Sequence, residues 1–294
     1  MFASPPEIYA HISALKNGNF VIEDGIILKN ENEFTLRSRE CPHRGYIMHT
    51  SGEIIKNVVC KLHGFAWDSC GKPLPKEPGR DHFYKLAIHG RLEIRKTGLL
   101  VENFSDDDSE WMSALAKETD LEFNRTIRGE SPGSRLWMME QLTDLLHIRQ
   151  NGIHPRQSLE TPLEKEHMEL SMGQDYSVQK YKNINGVSGY WVFIYPGFGV
   201  EFEPGKLSIT RIIPKNKNEE FGYRWEMQLY YAPWVDSLDR GEWEKNIAVY
   251  LEDVAAAENI RRPFFPLKRM VSEWEGQMKH WGEWYLKNLK KERQ

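Results

Sequence analysis

Hydrophobic and polar positions change period along the chain. From Asn19 to about Phe104, the runs FVIEDGIILKN, EFTLRSREC, GEIIKNVVC, FAWDSCGKPL, HFYKLAIHGRLEIRK and LLVEN are rich in β-branched and aromatic residues and are separated by Gly, Asn and Pro. This is the pattern of short strands joined by turns. An acidic stretch, SDDDSE at 105–110, then divides that part from WMSALAKETDLEF, where apolar residues recur at helical spacing. A second helical segment, SRLWMMEQLTDLLHIRQ, follows a Ser-Pro-Gly turn, and GYWVFIYPGFGVEFEPG, KLSITRIIP and GYRWEMQLYYAP read as strands. The C-terminal segments WEKNIAVYLEDVAAAENIRR and RMVSEWEGQMKHWGEWYLKNLKKERQ are helical in pattern, the latter with Trp274, Met278, Trp281 and Leu286 along one side. The pattern predicts an α+β protein of two domains: an all-β unit over 1–104 and a mixed unit of sheet and helices over 105–294.

Composition narrows the functions open to such a chain. With 294 residues and 40% hydrophobic content it can bury one large core or two modest ones. A net charge of -4 and a pI near 6.2 offer no field for nucleic acid or anionic membrane, and the short KNLKKER tail is the one basic block. The N-terminus lacks a basic region followed by an apolar run, and no stretch approaches about eighteen apolar residues. A soluble, cytoplasmic protein is expected. Three cysteines are too few for a disulfide scaffold, so metal chemistry is the better use for Cys41 and Cys60, with Cys70 a spare thiol.

Those two cysteines belong to CPHRGYIMHTSGEIIKNVVCKLHG, which sets Cys41 and His43, then a sixteen-residue gap, then Cys60 and His63. One zinc could take two thiolates and two imidazoles. Zinc fingers, however, place their thiolates as one close pair and their histidines as another, whereas here each pair mixes one of each. Mixed pairs suit a [2Fe-2S] centre whose one iron keeps two thiolates while the other takes two imidazoles. Gly45 and Gly64 follow the pairs closely, as tight loops around sulfur need.

CPHRG together with CKLHGFAWDSCGKPL resembles the Rieske domain of the Rieske non-heme iron oxygenases, the family of ring-hydroxylating dioxygenases and related monooxygenases. The resemblance assigns Cys41, His43, Cys60 and His63 as cluster ligands and matches Trp67 to the aromatic that follows the second histidine. It implies a helix-grip catalytic domain after the Rieske domain. Respiratory Rieske proteins carry an added disulfide, for which too few cysteines remain here.

Within WMMEQLTDLLHIRQNGIHP, helical spacing would set Glu140, Asp144 and His147 on one face, with His154 just beyond the helix end. Two histidines and a carboxylate on one side of an octahedral ion make the facial triad of non-heme Fe(II) oxygenases. His147 and His154 are the expected imidazoles, although their seven-residue interval is longer than the family's five or six. YLEDVAAAENI resembles the late segment that supplies the third ligand, which would be Asp253, with Glu258 five residues on and Glu252 the neighbour most easily confused with it. Asp144 matches the carboxylate that bridges a Rieske histidine of one subunit and the first iron histidine of the next. The resemblance further implies O2 and a small organic substrate, an NAD(P)H-dependent reductase or ferredoxin as electron donor, and a head-to-tail homotrimer. The expected function is hydroxylation or oxidative demethylation through a [2Fe-2S] cluster and a mononuclear Fe(II). The rival is an electron-transfer or ligand-binding protein with a vacant iron site. The strand aromatics Trp191, Phe193, Tyr195 and Phe198 are core by default, and His11, His49, His82, His89, His167 and His280 have no chemistry assigned.

Overall fold

The computed structural model describes residues 5–31, 33–75, 85–104, 108–144, 168–182, 186–215, 221–260 and 276–289. Its first part holds β1 (Glu7–His11), a 3-10 turn (Ile12–Leu15), β2 (Asn19–Ile22), β3 (Gly25–Asn30), β4 (Glu33–Arg37), β5 (Ile54–Ile55), β6 (Val58–Val59), β7 (Ala66–Trp67), β8 (Pro73–Leu74), β9 (Ile88–Ile94) and β10 (Leu99–Glu102). They form a seven-stranded sheet in the order β1-β10-β9-β4-β3-β2-β5 and a three-stranded sheet β6-β7-β8. The leading strand β1 escapes the sequence pattern because it is short and follows two prolines. It nevertheless pairs along β10 and buries Ile8 and Ala10 completely.

After a short helix α1 (Glu110–Leu115) come β11 (Glu122–Ser134), α2 (Arg135–Thr143), β12 (Met168–Met172), β13 (Tyr176–Lys182), β14 (Ser188–Ile194), β15 (Phe198–Glu203), β16 (Lys206–Pro214), β17 (Phe221–Tyr231), α3 (Ser237–Asn259) and α4 (Gly276–Leu289). Strands β12 to β17 are a continuous antiparallel meander, and β11 closes the far edge beside β17. The sequence reading missed β11 because NRTIRGES is polar. The expected Ser-Pro-Gly turn is instead an irregularity in that edge strand, between Ser131 and Ser134. An edge strand tolerates a proline there, because its missing N–H deprives no neighbouring strand of a bond.

Period-two alternation gives the second sheet two buried faces. Tyr190, Val192 and Ile194 of β14 join Val200 and Phe202 of β15 in a core shared with Ile8, Phe20 and Leu100 of the first sheet. Met227 and Trp225 of β17 join a second core under the helices, which also takes Trp243, Tyr250, Val254 and Ala257 of α3 and Trp281 and Trp284 of α4. The predicted aromatic stripe divides accordingly. Tyr195 is fully buried and Phe198 nearly so, whereas Trp191 and Phe193 border a cavity.

A polar cluster crosses the boundary between the sheets. Arg211 of β16, 1% exposed, reaches Glu226 of β17 at 2.8 Å and grips both oxygens of Asp24, in the β2–β3 turn, at 3.1 and 2.6 Å. Glu226 also accepts hydrogen bonds from Ser51 Oγ (2.8 Å) and the Glu23 backbone N–H (2.9 Å). Gln228 donates to the Tyr9 carbonyl at 2.9 Å, and Tyr230 OH accepts from the His11 backbone N–H at 3.1 Å. Buried charges are tolerable only when paired and bonded in this way.

Candidate metal centres and the adjoining cavity

Two loops of matched construction present the first constellation. In one, Cys41 N–H donates to the Tyr46 carbonyl (2.8 Å) and Gly45 N–H to the Cys41 carbonyl (2.8 Å). In the other, Cys60 N–H donates to the Phe65 carbonyl (2.7 Å) and Gly64 N–H to the Cys60 carbonyl (2.7 Å). Gly45 and Gly64 have φ of 70° and 71°, the left-handed turn that glycine adopts without strain. Both loops therefore have the same length from cysteine to glycine. The histidine stands two residues after the cysteine in the first and three after it in the second.

The loops bring their donors together in pairs. Cys41 and Cys60 are buried side by side in a small core with Met48, Val58, Leu86 and the completely buried Trp67. Burial pushes the Cys41 thiol up, with the neighbouring Cys60 adding to it, while the backbone N–H groups of His43 and Arg44 pull the other way. The imidazoles of His43 and His63 lie nearer the surface, with their Nδ1 atoms 3.3 Å apart and Phe65 packed beside both rings. A single tetrahedral zinc needs all four donors to converge on one point. Among the described residues no three His, Cys, Asp or Glu side chains are grouped to hold one ion. An inner thiol pair and an outer imidazole pair fit a two-iron cluster with divided ligation.

The second constellation is described in part. Asp253 of α3 is 7% exposed and its Oδ1 accepts from Gln141 Nε2 of α2 at 3.3 Å, which ties the two helices together. Its neighbour Glu252 faces outward, so helix orientation separates the two acids that sequence could not. Glu258 accepts from Ser131 Oγ of β11 at 2.7 Å, a bond that fixes the end of α3 to the sheet edge. His147 and His154 lie outside the described residues.

Asp144 requires a correction. Helix α2 stops at Thr143, and Asp144 caps it in an extended conformation (φ -88°, ψ 96°) rather than continuing the helical face of Glu140. Asp144 N–H turns to the Gln141 carbonyl at 3.3 Å instead of continuing the helical ladder, and Thr143 Oγ1 donates back to the Met139 and Glu140 carbonyls (2.7 and 3.3 Å).

Between the second sheet and α3 lies a cavity of about 100 Å³, enough for a small molecule or several waters. Trp191, Phe193, Val200, Met227, Val249 and Tyr250 supply apolar walls, Leu142 closes the α2 side, and Asp253 lines one end. Glu201 of β15 also lines it. Its Oε1 accepts from Trp191 Nε1 (2.5 Å) and Asn246 Nδ2 (2.9 Å), and Ser208 stands opposite it on β16. Glu201 keeps some accessible surface although protein surrounds it, because that surface borders the cavity. Burial pushes its carboxyl up to about 7, the nearby Glu203 adds to this, and the hydrogen bonds offset it in part. Nothing in the sequence singled out Glu201, since an acid alternating with Val and Phe reads as an outward strand position.

Comparison with known proteins agrees with this geometry. Residues 9–84 match the Rieske [2Fe-2S] domain family. Putrescine 2-hydroxylase of Ralstonia nicotianae is 22% identical over 310 aligned positions, covering 90% of this chain and 81% of that protein. The quaternary ammonium Rieske monooxygenase CntA superposes with a TM-score of 0.73 at 14% identity, over 99% of this chain and 89% of its own. Dicamba monooxygenase does so at 0.56 and 13% identity, over 99% and 98%. The NdmA variant of Pseudomonas putida CBB5 superposes at 0.53 and 15%, over 97% and 90%.

Proposed function

We propose that this chain, a Rieske [2Fe-2S] domain followed by the sheet and helices of the Rieske monooxygenase fold, is the oxygenase component of an electron-transfer system. In that reading it hydroxylates or oxidatively demethylates a small organic substrate with O2. The observation that supports it most directly is the pairing of His43 and His63, Nδ1 to Nδ1, above the buried thiols of Cys41 and Cys60. The full-length likeness to Rieske monooxygenases extends the reading beyond an isolated electron carrier.

A [2Fe-2S] cluster on those four residues would relay single electrons from an NAD(P)H-dependent reductase or ferredoxin, and a mononuclear Fe(II) on His147, His154 and Asp253 would supply oxygen activation. The chain's own residues do the rest. The cysteines hold the inner side of the first centre away from water, while the histidines present its outer side to a partner. Gln141 orients the Asp253 carboxylate by the bond that joins α2 to α3. Asp144, at the C-cap of α2, would accept hydrogen bonds from imidazoles on either side of a subunit boundary in a head-to-tail trimer. The apolar walls of the cavity exclude bulk water and leave a substrate little rotational freedom.

The test is metal content on protein purified without oxygen and supplied with ferrous iron. The expected result is about three irons and two acid-labile sulfides per chain, falling to two irons with unchanged sulfide in Asp253→Ala. O2 uptake should depend on a reductase. Two irons in the unaltered protein would establish the rival, an electron carrier joined to a domain without iron.

A further inference from the structure

We propose that the cavity beneath α3 binds a cation, an alkylammonium group on a short aliphatic chain, with Glu201 as its counter-ion. The proposal rests on the oxygenase reading only in making that cation the substrate.

Charge bookkeeping around the cavity is uneven. Glu203, two residues along the same strand, has Lys206 at 3.1 Å and a hydrogen bond from Tyr181 at 3.0 Å. Lys206 also serves Asp239 at 2.7 Å. Glu201 has no cationic partner among the described residues, and its side-chain hydrogen bonds come from uncharged donors, Trp191, Asn246 and Ser208. Among the described residues no Lys or Arg lines the cavity. An ionised carboxylate in such surroundings is costly until a positive charge reaches it. Burial favours neutralising this carboxylate, either by a proton or by a cation that the cavity can pair with it.

The walls suit the remainder of such a ligand. Trp191, Phe193 and Tyr250 line the cavity, and aromatic side chains favour both an ammonium group and methylenes. Asn246, bonded to Glu201, and Asp253 are seven residues apart on α3, a separation of about 10 Å along a helix at 1.5 Å per residue. A cation held at Glu201 therefore directs a chain of a few carbons towards the end of the cavity lined by Asp253.

Calorimetric titration of the holoprotein at pH 8 with n-butylamine and with 1-butanol tests this. The amine should bind roughly tenfold to a hundredfold more tightly than the alcohol, the worth of one charge-assisted contact. That preference should vanish in Glu201→Gln while the cluster absorbance stays unchanged. Equal affinities for amine and alcohol in the unaltered protein would overturn the proposal, whatever the variant does. So would an amine preference that survives in Glu201→Gln, which would place the cation elsewhere. Oxygen uptake measured on the same preparation, supplied with NADH and a reductase that reduces its cluster, separates the two readings. Amine binding without uptake defeats the oxygenase and leaves the cation site, whereas uptake driven by neutral ligands alone defeats the cation site and leaves the oxygenase.

Discussion

At the scale of single residues, chemistry was legible where it depends on side-chain type and close spacing. Cys41, His43, Cys60 and His63 could be read because two short loops determine their arrangement almost entirely. Asp253 was singled out only through resemblance, and the orientation of α3, which buries Asp253 and exposes Glu252, could not be read from the chain. Glu201 was not legible at all, because its surroundings come from β14, β16 and α3 rather than from its own strand. His11 shows the converse, a histidine with no assigned chemistry that nonetheless matters to stability. It is 5% exposed, its Nε2 lies 3.2 Å from the Thr97 carbonyl, and burial lowers its pKa to about 4. In the unfolded chain the same imidazole takes up its proton near 6.5. Unfolding therefore absorbs a proton between those values, and stability should fall as pH drops from 6.5 towards 4, by up to about 3 kcal/mol. Urea unfolding across that range checks it: His11→Asn, which keeps a cap for Ser13 N–H but cannot titrate there, should show a shallower slope.

At the scale of elements, periodicity found the strands with strong alternation and the long helix α3. It failed where local bonds override pattern. The polar edge strand β11 owes its place to the ladder with β17 and to a few side chains, Phe123 and Ile127 packing on the two cores, that a polar sequence hides, and α2 ends a residue before Asp144, whose N–H turns to the Gln141 carbonyl. Helix α3 begins at a cap that the chain states openly: Asp236 Oδ1 accepts from Asp239 N–H at 2.8 Å. Since the same helix carries both Asn246 and Asp253, its start bears on both ends of the cavity. Asp236→Ala should cost about 1 kcal/mol in denaturant unfolding without altering the iron content, because the cap stands more than four turns from Asp253.

At the scale of the molecule, the two sheets share one hydrophobic core and one polar cluster, which no periodicity could have revealed because its members come from positions as far apart as Asp24 and Arg211. Truncating Glu226 leaves the buried Arg211 with Asp24 as its one carboxylate partner among the described residues and strands the donors Ser51 Oγ, Gln228 Nε2 and the Glu23 N–H. Glu226→Ala is accordingly expected to lose roughly 3 to 5 kcal/mol in urea unfolding, and Arg211→Met combined with it should recover part of the loss. The cluster also has a mechanical meaning. Bonds from Arg211, Glu226 and Gln228 clamp the second sheet to the first on one side, so the sheet serves the cavity as a fixed anvil. Any breathing that admits a ligand must then come from the opposite side, by α2 and α3 lifting together on the strut that Gln141 and Asp253 form between them.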